Sequence, residues 1–215
     1  MPNSLFDIEE TTQEPITIVK TNSKLHQKIK TNKILKIGIC GAHGTGKTTL
    51  AKAIHELYST PIITNLMRGF WQENGVDNFE KLPKDIRTIF QKESLLKQIQ
   101  AEESHTIGFI TDRTVLDQIV YTKLSSNMIG VEFEIYEQLC KERLKSYTHL
   151  IYLPIEFESE QEALRADIKT RGQCADIMKS YLDKWMPRQH TVINGAFEVR
   201  VTNVKNLLNA YLNAK

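Results

Sequence analysis

Cysteine is scarce in this 215-residue chain: Cys40, Cys140 and Cys174 are the only three, far apart, odd in number and outside any CxxC pair. That spacing excludes a disulfide framework or a zinc-ligand set, and all three are expected to be free thiols of a cytoplasmic protein. Net charge is nearly absent too. The 28 basic and 26 acidic side chains leave a formal +2, so no global field favours nucleic acid or an anionic membrane, and neither is an expected partner. No apolar run approaches the roughly 18 residues of a membrane span. Asp7, Glu9 and Glu10 interrupt any secretory-signal pattern near the start. Glycine numbers only ten, yet three of them fall between positions 41 and 46, which marks that stretch as special.

What remains is an ordinary globular composition, 40% hydrophobic and 25% charged, at a length suited to one α/β domain. Residues 1–32 are rich in Thr, Asn, Lys and Gln without a sustained period, and predict a flexible tail ahead of a single domain over 33–215. The texture changes at Ile34. Ile34 to Cys40 reads as a buried parallel strand, and Leu50, Ile54, Leu57 and Tyr58 as a helix stopped by Pro61. Further strands are expected at Pro61 to Thr64, Ile107 to Thr111, His149 to Leu153 and Thr191 to Ile193. Between them, Ile86, Ile89, Phe90, Leu96 and Ile99 mark a long helix, and Ile135, Leu139 and Cys140 another. Met178, Tyr181, Leu182 and Trp185 resume a helical stripe, and Phe197, Val201, Val204, Leu208 and Tyr211 form a last apolar face. Such alternation predicts a three-layer α/β fold of about five parallel strands with helices on both faces.

Gly41-Ala42-His43-Gly44-Thr45-Gly46-Lys47-Thr48 satisfies G-x-x-x-x-G-K-[ST], placed after a strand and opening a helix. Glycines free the backbone to aim successive amides at one point, and the helix N-terminus adds positive charge, so the loop is expected to cradle a nucleotide phosphate. Lys47 is then expected to reach the β- and γ-phosphates of ATP, and the Thr48 hydroxyl to ligate Mg2+, with Thr49 adding a phosphate hydrogen bond.

A second constellation follows the third strand. Asp112 and Arg113 fall at a strand's carboxyl end, the ligand edge of an open α/β sheet. Asp112 is expected to act near the metal or on the acceptor hydroxyl, and Arg113 to clamp a phosphate. With the P-loop, the run Asp112-Arg113-Thr-Val-Leu-Asp117-Gln-Ile-Val-Tyr121 resembles the family that contains the ribosylnicotinamide kinase domain of bacterial NAD regulators. More distantly, the chain is similar to deoxynucleoside and thymidylate kinases. The resemblance implies a nucleoside-kinase-like P-loop NTPase fold, ATP and magnesium, and a small acceptor near the third strand touching Arg68, Arg113 and Asp117. Arg68 stands where these relatives show E-x-x-R, but the acid there is Asn65. A charged stretch over 156–172, with Arg165, Asp167, Lys169 and Arg171, is expected to form a lid whose Arg171 meets the transferring phosphoryl group, Gly172 serving as hinge. Asn194-Gly195 followed by Arg200 resembles the turn that borders the adenine.

The expected function is ATP-dependent phosphoryl transfer to a nucleoside or nucleotide; the alternative is an ATP-binding or ATP-hydrolysing switch acting on a protein or nucleic-acid partner. A guanine-reading [NT]-K-x-D run is missing, and little chain is left for the helical subdomain of ring ATPases. Phe70 and Trp71 either stack a substrate base or pack in the core. Self-association into a homodimer is left open.

Overall fold

The computed structural model describes residues 33–64, 66–157 and 168–214. The expected tail over 1–32 lies outside the described residues, as do Asn65, Arg165, Asp167 and the side chains of Arg68 and Lys169. The unit Asn32–Lys215 carries the fold. Its elements run β1 (Lys36–Cys40), α1 (Lys47–Tyr58), β2 (Ile62–Ile63), α2 (Leu66–Glu73), a 3-10 turn (Phe79–Lys81), α3 (Lys84–Ser104) and β3 (Phe109–Asp112). They continue with α4 (Val115–Ser125), α5 (Gly130–Leu144), β4 (His149–Tyr152), α6 (Ile168–Trp185), β5 (His190–Val192) and α7 (Phe197–Asn213).

Alternation along β1 divides the core in two. Ile37 and Ile39 point to one face of the sheet, where they meet Ile110, Ile151, Leu50 and Ile54 of α1, and Val204 and Leu208 of α7. Cys40 points to the other, among Phe109, Leu150, Leu116 and Ile119 of α4, Leu144 of α5 and Met178 of α6. Both faces are therefore covered, as a parallel sheet requires. The strand order is β2-β3-β1-β4-β5, and every pairing is parallel. Ile39 lies opposite Asp112 and Cys40 opposite Tyr152, so the carboxyl ends of β1, β3 and β4 open at one edge. The three-layer, five-stranded parallel fold expected from the sequence is what forms. All three cysteines are free and buried.

Several local expectations need correction. Helix α6 starts at Ile168 and not near Met178, so Gly172 lies inside it and is no hinge between lid and helix. Helix α4 goes unmarked by periodicity because its residues from Val115 to Val120 are buried all round, Asp117 and Gln118 included. In α3 the apolar residues Ile89 and Leu96 face solvent, while Thr88, Gln91, Ser94, Gln98 and Glu102 face inward. That inversion is tolerated because the buried polar groups find partners: Thr88 with Asn127, Gln91 with Ser125, and Gln98 with Glu102. Helix α5 likewise turns Ile135 and Leu139 outward and buries Tyr136, Cys140 and Leu144. Ile107 precedes β3 and is exposed.

Leu144 is fully buried between α5 and the sheet. Leu144→Ala is expected to lower unfolding stability by about 3 kcal/mol, read from urea denaturation followed by circular dichroism.

Candidate functional site

The loop between β1 and α1 is shaped by where its carbonyls go. Lys47 Nζ donates to the carbonyls of Gly41 and Ala42, each at 2.7 Å. Arg171 Nε donates to the His43 carbonyl at 3.0 Å, and an Arg200 Nη donates to that of Thr45 at 2.6 Å. A trans peptide places its N–H opposite its C=O. Tying the oxygens of His43 and Thr45 to cations therefore turns the Gly44 and Gly46 amides the other way. Gly46, with φ 87°, is the N-cap of α1, whose first turn carries no acidic residue. Its amides are thus open to an anion. At Gly41 a Cβ would stand 2.5 Å from the Leu153 carbonyl, so only glycine lets β1 turn into the loop beside β4.

The third-strand residues stand directly across. The Thr48 hydroxyl donates to Asp112 Oδ2, so a hydroxyl and a carboxylate sit side by side at the mouth of the loop. Two such oxygens fit a hard cation that completes its shell with phosphate oxygens and water. Arg113 has φ 92°, a conformation that strains a residue with a Cβ. It is held by its N–H on Ile39 O at 3.1 Å, and its carbonyl accepts from the Thr111 hydroxyl at 2.6 Å and Gln98 Nε2 at 3.4 Å. Behind Gln98, buried Glu102 accepts from Gln98, from the Tyr147 hydroxyl at 2.6 Å and from Arg143 Nε at 3.0 Å. Sequence reasoning missed this support, because Gln98 and Glu102 look like the solvent face of a helix.

Asp117 completes the cluster. It is the N3 residue of a capping box with Thr114, and one of its oxygens accepts the Thr114 N–H at 2.8 Å. Its other oxygen is buried without a hydrogen-bond partner. Burial raises the Asp117 carboxyl above its ordinary pKa, against the opposing pull of Lys47 and Arg113. Burial also pushes the Lys47 ammonium down to about 8, with Arg113 adding to that push and Asp117 and Asp112 resisting it. The Arg113 guanidinium lies over the Tyr121 ring, 5.2 Å from its centroid. Burial raises the phenol's pKa, with Arg113 opposing.

Arg171, expected in a lid, is a buried residue of α6 bonded to His43 O and to Phe157 O at 3.0 Å. Arg200 is its counterpart from α7. Besides Thr45 O, it donates to the Gly195 carbonyl at 2.8 Å, pairs with Glu156, and lies 5.4 Å from the exposed Phe157 ring. Glu156 in turn accepts the Gly195 N–H. The turn after β5 is thereby linked to the P-loop. Phe70 and Trp71 pack in an aromatic group: Trp71 stacks on Phe79 at 4.7 Å, and Phe70 meets Phe90 at 5.2 Å. Arg68 belongs to α2, and its side chain is outside what is described.

A strand, a glycine-rich phosphate loop and a helix, with an acidic residue on the adjacent strand, define a P-loop α/β domain. A protein-family profile described as "AAA domain" matches residues 36–200, and the chain belongs to that family. Among solved structures it is similar to the NadR protein in complex with NR, with TM-score 0.66 and 16% identity over 85% of this chain and 52% of that one. It is similar also to the NadR protein in complex with NAD and AMP-PNP, with TM-score 0.64 and 16% identity over 85% of this chain and 50% of that one. The chain thus spans about half the length of those NadR structures. A deoxyadenosine kinase from M. mycoides, with dCMP and a flexible dCDP bound, is similar at TM-score 0.64 and 18% identity over 82% of this chain and all of that one. Identities this low speak for the fold alone. No curated protein sequence matches the chain significantly. Among the described residues, no helix is long and apolar enough to cross a membrane.

Because only the charged form of Lys47 would attract an anion to the loop, phosphate binding above its pKa would have to take up a proton. Magnesium–ATP affinity is therefore expected to fall as pH rises past about 8, by up to about tenfold per unit. Calorimetric titrations at stepped pH check this.

Proposed function

We propose that the chain is a magnesium- and ATP-dependent kinase that transfers a phosphoryl group to a hydroxyl of a nucleoside or nucleotide. One observation carries the proposal: the P-loop amides and Lys47 converge beside the Thr48–Asp112 pair, with Arg113 next to it. Positioning and charge are most of what phosphoryl transfer needs. The loop from Gly41 to Thr48 holds the phosphates, including the amides after Ala42, His43 and Thr45, and Thr49 adds a hydroxyl. Lys47 exchanges its loop carbonyls for phosphate oxygens. Thr48 and Asp112 would hold magnesium, which neutralises charge between the β- and γ-phosphates. Asp112 orients the acceptor hydroxyl, and Arg113, braced by Tyr121, faces the transferring group.

Arg171 acts through the His43 carbonyl, keeping the loop in its receptive shape. Asp117, with one oxygen lacking a partner, is the residue we assign to an acceptor hydroxyl, and Arg68 is proposed to touch the acceptor as well. The likeness to the NadR protein with NR and to a deoxyadenosine kinase supports a nucleoside-type acceptor. We also propose a cytoplasmic location, a reading that the three free, buried thiols support. The family's description as an AAA domain favours the second reading, in which the same loop hydrolyses ATP to drive a partner.

Lys47→Ala is expected to cut turnover by about a hundredfold or more without changing the circular dichroism spectrum. The two readings separate when ATP consumption is followed with and without a panel of nucleosides and nucleotides, and the products weighed. Consumption that requires an acceptor, with one product heavier by a phosphoryl group, supports the kinase. Equal consumption without any acceptor favours the ATPase.

A further inference from the structure

Glu102 stands at the origin of two hydrogen-bond arms that end on one corner of the chain, from Arg113 to Val115. Its side chain is wholly buried, and it accepts from Arg143 Nε at 3.0 Å while another nitrogen of that guanidinium reaches Glu103 at the surface. Paired with a guanidinium, Glu102 is a carboxylate, and a carboxylate can only accept. That restriction sets the direction of everything bonded to it. The Gln98 amide could present either end, but facing Glu102 at 2.6 Å it must present its NH2. The second hydrogen of that NH2 then points at the Thr111 hydroxyl oxygen at 2.8 Å, with the Arg113 carbonyl 3.4 Å away. A threonine hydroxyl has one hydrogen to give. With its oxygen already accepting from Gln98, Thr111 gives that hydrogen to the Arg113 carbonyl at 2.6 Å. The other arm is shorter. Tyr147 donates its hydroxyl hydrogen to Glu102 at 2.6 Å, which leaves its oxygen to accept the Val115 N–H at 3.5 Å.

We infer that Glu102 is a positioning residue for Arg113: by fixing the polarity of both arms, it holds the corner that aims the guanidinium at the transferring phosphoryl group. The catalytic consequence rests on the kinase reading, and the polarity of the arms does not. Arg113 has φ 92°, a conformation that neighbours must enforce. An inverted Gln98 amide would turn its oxygen toward Thr111, draw the hydroxyl hydrogen to itself and leave the Arg113 carbonyl without that donor. Core stability alone gives no reason for this arrangement, since an ion pair taken out of water gains little over apolar residues of similar volume. Donors aimed at a backbone with positive φ do give one. The carbonyls of the phosphate loop are held separately, by Lys47, Arg171 and Arg200, so nucleotide binding and the placement of Arg113 are separable.

Glu102→Gln, Thr111→Val and the double variant of the full chain test this in two ways. Glu102→Gln keeps the shape of the side chain but can donate, so it no longer dictates which way Gln98 points. In each single variant, hydrogen–deuterium exchange read by mass spectrometry is expected to quicken by about tenfold over residues 112–116, with α1 and α7 unchanged. Steady-state kinetics are expected to show kcat down by about tenfold to a hundredfold and KM for magnesium–ATP unchanged. Because both substitutions cut the same arm, the loss in the double variant should fall short of the product of the two. Exchange over 112–116 that keeps the wild-type rate, exchange that quickens equally across the domain, or losses that multiply in the double variant would each overturn the inference. So would a kcat equal to that of the wild type. A wild-type chain that transfers no phosphoryl group removes the kinase reading alone, and the exchange rates then decide whether Glu102 holds the corner.

Discussion

Three cations hold the carbonyls of one short loop, and the rest of the site depends on that arrangement. Lys47 takes the oxygens of Gly41 and Ala42, Arg171 that of His43, and Arg200 that of Thr45. These side chains come from three helices on both faces of the sheet. The loop's shape is consequently a property of the whole fold and not only of its glycines. Glycine permits the conformation; the cations select it. Each bond involves a charged donor and is shielded from water, conditions under which a hydrogen bond is worth more than a neutral, exposed one.

The same logic repeats across the mouth of the loop. Arg113 is kept at a positive φ by bonds to both of its peptide groups, from Ile39 on one side and Thr111 and Gln98 on the other. Strain of about 1–3 kcal/mol persists only where neighbours over-determine it, and here they reach back through Glu102 to Arg143 at the surface. Asp117 serves two purposes at once. One oxygen caps α4, and the other is left within reach of the charges on Lys47 and Arg113. A buried carboxylate oxygen without a partner costs stability unless something bound satisfies it.

Much of this was legible in the sequence, and the boundary has physical causes. The P-loop could be read because its chemistry is local: glycines, a lysine and a threonine at fixed spacing need no distant partner to be recognised. The central strands β1, β3 and β4 could be read because a parallel sheet buried on both faces leaves short continuous apolar runs. Helix α4 could not, because an element buried all round loses its period. The supporting residues were hidden for a different reason. Gln98, Glu102 and Glu156 are ordinary polar residues until the fold brings Thr111, Tyr147 and Arg200 to them. The same ambiguity hides which way α3 and α5 face, where Ile89, Leu96, Ile135 and Leu139 carry a helical period that points outward. Periodicity reports that a helix has an apolar side, and cannot report whether that side meets the core or another molecule.

The proposed kinase depends on the loop's amides recognising the outer phosphates of a nucleotide. Calorimetric titration of the intact protein with magnesium–ATP, set beside the same titration with AMP, tests this most directly. Saturable binding of one ATP per chain, with AMP bound far more weakly, is the predicted result. No heat with ATP on folded protein, or AMP binding as tightly as ATP, would contradict it.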